Sequence, residues 1–221
     1  MEKRGIIFDL DGTLWDACAG IAAAWDEYVR LYESAWYEKG VRVKEETVRA
    51  ACGKTMDIFT AMLLHQLPES EQKRLYEPCC TYEVGYLKVH GANVYPGVQE
   101  ALRELAKDYH LYIVSNCQEG YIEAFLEFYN IPYGRPEDLV EDIECYGNNL
   151  LQKDANIRLI AERNGLTAAC YVGDIQSDYD STVKAGFPFI HAKYGFGTVD
   201  AEVPYINSFD ELVRVVPEVI G

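Results

Sequence analysis

The apolar positions of this chain change period along its length. Gly5-Ile6-Ile7-Phe8 is a continuous apolar run that ends at Asp9, the mark of a strand buried on both faces over 4–9. A different rhythm follows. Cys18, Ile21, Ala22, Trp25, Tyr28, Val29, Tyr32, Ala35 and Trp36 recur at three and four residues. This spacing predicts an amphipathic helix over 17–38, which Gly40 stops. Helical patterning resumes at 44–52 and at 56–67, where Ile58, Phe59, Met62, Leu63 and Leu67 share a face. Pro68-Glu69-Ser70 opens a further helix that runs to about His90-Gly91, and Pro78 is expected to kink or break it. Residues 16–90 therefore read as a block of helices with no strand.

Beyond Pro96 the two periods alternate. Helices are predicted at 97–108, 118–129, 154–164, 176–185 and 208–216. Short apolar strands are predicted at 110–115, within 139–147, at 168–172 and at 187–192. Strands and helices in alternation indicate a parallel sheet covered on both faces, the α/β class. The first strand belongs to this series by its character, so the helical block is an insertion between it and the rest.

The composition narrows the class. The chain has 221 residues, 49% apolar and 25% charged, enough for one large domain or a domain with an insertion. No apolar run approaches the roughly 20 residues that span a bilayer. Only four uncharged residues separate Arg4 from Asp9, too few for the core of a secretion signal. A cytoplasmic protein without a membrane partner is expected. Seven cysteines in no Cys-x-x-Cys spacing read as reduced, mostly buried thiols. The four histidines, His65, His90, His110 and His191, are scattered and suggest no zinc site. A net charge of −16 excludes a general nucleic-acid binder, which needs a basic stripe. The acidity is uneven, with 12 acidic and 9 basic residues in 16–90 against 24 and 11 elsewhere. An anionic substrate would need help from a metal ion or from the less acidic block.

In an open parallel sheet, sites form beyond the carboxyl ends of the strands. The polar residues here stand at those ends. Asp9 closes the first strand and Asp11 follows. Ser115-Asn116 closes the 110–115 strand, and Gly173-Asp174 closes the 168–172 strand, with Asp178 beyond it. Lys153 precedes a helix, with Asp154 as its expected N-cap. Clustered carboxylates without zinc-type ligands suit a hard ion, Mg²⁺ above all. A carboxylate can attack phosphorus, a lysine and a hydroxyl can balance the charge on the transferring group, and a second carboxylate can move the proton. Asp16 is read as a hinge or cap and Asp180 as helix surface.

Four segments, "DLDGT" (Asp9 to Thr13), "SN" (Ser115-Asn116), Lys153 and "GDIQSD" (Gly173 to Asp178), resemble in order the motifs of the haloacid dehalogenase-like superfamily. The resemblance implies a Rossmann-like parallel-sheet core, residues 1–15 and 91–221, with a helical cap, residues 16–90, inserted after the first strand. It implies Asp9 as nucleophile and Mg²⁺ ligand, and Asp11 as general acid/base giving its backbone carbonyl to the metal. It also implies Thr13 supporting the first loop. Thr13, Ser115, Asn116 and Lys153 would bind the phosphoryl group, and Asp174 and Asp178 would be metal ligands. An acidic residue at Asp11 resembles the phosphatases and phosphomutases rather than the dehalogenases. "PGV" (Pro96 to Val98), "AGF" (Ala185 to Phe187) and "YGFG" (Tyr194 to Gly197) resemble the phosphoglycolate phosphatase-like branch. A phosphatase of a small phosphorylated metabolite is the leading expectation. A sugar phosphomutase and a non-enzymatic phospho-aspartate signalling module are the alternatives. In the inserted block, Lys54 in Gly53-Lys54-Thr55 is the candidate substrate contact, ahead of Arg49.

Overall fold

A computed structural model describes residues 2–221. Its strands, in chain order, are β1 (Arg4–Phe8), β2 (Trp15–Asp16), β3 (Asn93–Val94), β4 (His110–Ser115), β5 (Asp142–Cys145), β6 (Ala168–Gly173), β7 (Phe189–Ala192) and β8 (Tyr205–Ile206). The helices are α1 (Cys18–Tyr32), α2 (Ser34–Glu38), α3 (Glu45–Ala51), α4 (Met56–Leu63), α5 (Glu69–His90), α6 (Val98–Leu105), α7 (Tyr121–Phe128), α8 (Tyr146–Asn149), α9 (Lys153–Arg163), α10 (Gln176–Ala185) and α11 (Leu212–Ile220).

Six strands form one parallel sheet in the order β5-β4-β1-β6-β7-β8. The first strand of the chain thus lies inside the sheet, between β4 and β6. The chain winds outward from β1 through β4 to β5, then returns across β1 and winds the other way through β6. The order reverses beside β1, which is where α/β sheets place their sites. Side chains alternate across the sheet. Ile6, Phe8, Ile113 and Val172 enter one core, which continues into the helical block. Ile7, Tyr112, Val114 and Tyr171 enter a second core under α9 with Ile157 and Ile160. Burial on both faces is why these strands are continuous apolar runs in the sequence.

The inserted helices α1–α5 leave and rejoin the sheet through a two-stranded antiparallel ladder, in which Trp15 pairs with Val94 and Asp16 with Asn93. The prediction of no strand at this boundary is corrected to that extent, because β2 begins at Trp15 and includes Asp16. The helix expected over 17–38 is two helices, interrupted at Glu33. The Glu33 carboxylate is clamped by both terminal nitrogens of Arg74 from α5. Pro78 does not break α5, which is a single 22-residue helix. Pro78 removes one donor, but Leu75, Cys79, Cys80, Glu83 and Leu87 stay buried on both sides of it, and that packing carries the helix through. No helix among the described residues is long and apolar enough to cross a membrane.

Candidate active site

The sheet order brings the sequence motifs together. Ser115 closes β4, and Asp9 and Asp174 directly follow the adjacent strands β1 and β6, all three buried. Oxygens of Asp9, Asp174 and Asp178 lie within 4.8 Å of one another. Lys153, 4% exposed, sends its ammonium between two of them, 2.9 Å from Asp9 Oδ1 and 2.6 Å from Asp178 Oδ1. It is the first residue of α9. Asp154 is therefore not the N-cap; that position is Gln152. Asp154 instead pairs with Arg158 and Lys184 at 2.7 and 3.0 Å.

The loop after β1 is tight. The Leu14 amide donates to the Leu10 carbonyl at 2.8 Å, and the Gly12 amide to that of Trp15 at 2.8 Å. Gly12 has φ +84°, and a Cβ there would collide with the Asp174 carboxylate. Only glycine lets the loop fold against the end of β6. Thr13 Oγ1 makes no hydrogen bond, so its expected support of the loop through that hydroxyl is corrected. Its contribution is its backbone, whose carbonyl accepts from Tyr194 Oη at 2.8 Å. Asp178 Oδ2 accepts the amides of Asp174 and Ile175 at 3.1 and 3.3 Å, and so ties the start of α10 to the end of β6. Asp174 Oδ2 accepts the Phe196 amide at 2.6 Å. His191 Nε2 meets the Asp174 carbonyl at 3.1 Å.

The electrostatics are those of a site built for cations. Burial pushes Asp9 up to about 6, against the pull of Lys153. Burial, with repulsion from Asp178 and Asp9, pushes Asp174 well up. Asp174 Oδ1 is buried and has no hydrogen-bond partner among the described residues. Burial opposes the charge on Lys153, but Asp178 and Asp9 outweigh it and hold the ammonium well above its ordinary value. Asp11 stands apart from this group. Its Oδ1 accepts the hydroxyl of Tyr121 at 2.8 Å. Burial pushes it up to about 8, Tyr121 pulls it down, and the nearby Asp9 and Glu83 carboxylates add to the rise.

The helical block supplies the opposite wall. A cavity of about 30 Å³ is lined by Asp9, Asp11, Ser115, Asn116 and Lys153 below, and by Cys52, Gly53, Lys54 and Glu83 above. Asn116 Nδ2 donates to the Gly53 carbonyl at 3.3 Å. Lys54 is exposed and makes no ion pair among the described residues. Arg49 is directed elsewhere, to Asp16 at 2.8 Å and Glu45 at 2.9 Å. Two wall residues escaped the sequence reading. Tyr121, on Asp11, looked like one aromatic at the start of a helix. Glu83, 1% exposed, looked like one more helical charge. Its register was the available signal, since Leu75, Cys79, Glu83 and Leu87 step by four along one buried stripe. Glu83 accepts from Trp25 Nε1, and from Gln118 Nε2 at 2.8 Å.

Comparison with known proteins identifies the family. A family model of haloacid dehalogenase-like hydrolases matches residues 6–192. The chain belongs to that family, on its phosphoglycolate phosphatase-like branch, and is an enzyme of the phosphatase type. It is 28% identical to the phosphoglycolate phosphatase of Escherichia coli over 225 residues, covering 90% of this chain and 85% of that one. A crystal structure of a predicted phosphoglycolate phosphatase from Haemophilus somnus superposes with a TM-score of 0.75 at 20% identity, covering 98% and 99% of the two chains. A mutant of CbbY from Rhodobacter sphaeroides, in complex with xylulose-(1,5)-bisphosphate, superposes with a TM-score of 0.73 at 19% identity, covering 96% of each. These two structures share the fold.

Proposed function

We propose that this enzyme hydrolyses a phosphate monoester of a small metabolite through an aspartyl phosphate on Asp9. The observation that supports this most is the convergence of Asp9, Ser115 and Asp174 at three adjacent strand ends, with Lys153 on Asp9 and Asp11 lining the same cavity. In the first half-reaction an Asp9 oxygen attacks phosphorus. The bond from phosphorus to the ester oxygen breaks, and Asp11 gives its proton to the departing alcohol. In the second, Asp11 takes a proton from water as that water attacks phosphorus. The bond to Asp9 breaks and phosphate leaves. Lys153 holds Asp9 in place and, with Ser115 and Asn116, receives the phosphoryl oxygens. Tyr121 positions Asp11.

The donor set fits Mg²⁺. Asp9, Asp174 and Asp178 offer hard carboxylate oxygens, and Asp174 Oδ1 is buried without a hydrogen-bond partner among the described residues. Asp178 is the least free of the three, since both its oxygens are already engaged. A bound Mg²⁺ would neutralise charge on the transferring phosphoryl group. Residues 16–90 act as a cap over a core formed by 1–15 and 91–221. The cavity between core and cap, lined from both, is where the ester would bind. Lys54 stands at its rim. Seven free cysteines, six of them buried, fit the reducing cytoplasm.

Release of inorganic phosphate from a panel of phosphorylated metabolites tests the reading, with Mg²⁺ and with a chelator. Turnover that requires Mg²⁺ and vanishes in Asp9→Asn, with the circular dichroism spectrum unchanged, supports it. Full turnover by Asp9→Asn refutes it. An isomerised sugar phosphate as product would mark a phosphomutase. A phosphoprotein stable for minutes, without turnover, would mark a signalling module.

A further inference from the structure

The inserted block places one acidic side chain in the cavity wall. Glu83 lies on α5, is 1% exposed, and faces the same cavity as Asp11. It forms no salt bridge with any described residue. Its partners are two neutral donors, Trp25 Nε1 and Gln118 Nε2. A buried carboxylate without a cation is costly, and the cost is relieved when a ligand supplies a donor or a positive charge. Each carboxylate oxygen accepts more than one hydrogen bond, so both have capacity beyond these partners.

The position is on the leaving-group side. Glu83 lines the cavity together with Asp11 and Tyr121, and Asp11 is the group that, in the proposed reaction, protonates the departing alcohol. The cap wall also carries the apolar side chains of Ile21, Met56 and Phe59. Lys54 is the cap's single cation on this cavity, and it is exposed at the rim.

We infer that Glu83 selects a phosphate monoester whose alcohol part carries a hydrogen-bond donor, a hydroxyl or an ammonium, and disfavours one carrying a carboxylate. Its partner Gln118, from the core, keeps an amide oxygen that can accept from the same ligand. This deepens the phosphatase reading and rests on it for the direction in which the substrate lies. It also separates this chain from a relative named for phosphoglycolate, whose carboxylate would be brought against Glu83.

The test is binding to the Asp9→Asn protein with Mg²⁺, which leaves the ester intact. Calorimetry compares glycerol phosphate, phosphoethanolamine and phosphoglycolate. At least one donor ester should bind about tenfold or more tighter than phosphoglycolate, the discrimination expected of a site that leaves a polar group unpaired with the wrong ligand. Which donor ester binds tells hydroxyl from ammonium. Adding Glu83→Gln should shrink that ratio about fivefold or more. Phosphoglycolate binding as tightly as the donor esters, no binding of either donor ester, or a ratio that Glu83→Gln moves by less than about twofold overturns the inference. The three-ester comparison decides alone if the double variant does not fold. Failure of the phosphatase reading is recorded separately, as wild-type protein that binds these esters and releases no phosphate.

Discussion

The ammonium of Lys153 lies 2.9 Å from Asp9 Oδ1, with both side chains almost completely buried. The same ammonium serves Asp178, so one cation offsets charge shared among three carboxylates. Lys153→Met strands those charges. In a chelator, the variant should lose about 3–5 kcal/mol of stability in urea unfolding. Added Mg²⁺ should return part of it, because ion and ammonium offset the same charge. A loss below about 1 kcal/mol would show that the pair contributes as little as a surface one.

In the proposed reaction Tyr121 acts only through Asp11, to which its hydroxyl donates. Tyr121→Phe removes a single hydrogen bond of 2.8 Å and keeps the ring packed on Trp15. Hydrogen bonds to charged groups contribute about 1.5–3 kcal/mol, so kcat should fall by about tenfold or more while KM stays within about twofold. A change in KM alone would place Tyr121 in ground-state binding.

Glu83 gives a pH signature to stability. Burial raises it from 4.5 to about 7, against the Trp25 and Gln118 hydrogen bonds that lower it. Asp11, Tyr121, Cys79 and Cys80 feel its charge. A raised folded value means the native state holds the proton more tightly than the unfolded one. Its stabilising share is complete below 4.5 and is lost as pH rises to about 7. Metal-free wild-type protein should therefore lose stability relative to Glu83→Gln across that window, followed as the difference in Tm. A flat difference would show that Glu83 titrates alike in both states.

Gly12 is a backbone test of the same floor. Alanine there needs a left-handed φ and overlaps the Asp174 carboxylate. Gly12→Ala should cost about 2 kcal/mol or more and abolish turnover. An active variant of wild-type stability would mean that the loop relaxes away from β6 without consequence.

The sheet was legible because it is buried on both faces. Ile6-Ile7-Phe8 and Ile113-Val114 need apolar neighbours above and below, and that demand is written as unbroken runs. The meeting of Asp9, Ser115 and Asp174 was legible because strand ends are fixed by those runs. The two-residue strands at Trp15, Asn93 and Tyr205 are too short to carry a period. The continuity of α5 through Pro78 depends on tertiary packing that a local rule does not contain. Asp154 looked like a cap because a short acid before a helix usually is one. Its ion pairs with Arg158 and Lys184 link separate elements and leave no local trace. Glu83 was missed although its register with Leu75, Cys79 and Leu87 places it on the buried stripe of α5.

The antiparallel pairing of Trp15 with Val94 and Asp16 with Asn93 has a polymer consequence. It closes the loop at its neck, so the ends of the inserted segment are hydrogen-bonded neighbours whatever lies between them. For a flexible loop, closure entropy grows only by about 0.6 kcal/mol for each doubling of length. The sheet is therefore nearly indifferent to the size of what hangs from that neck. A segment of another length or shape could be exchanged there with the floor left intact, so the sheet and the segment that hangs from it are free to evolve at different speeds.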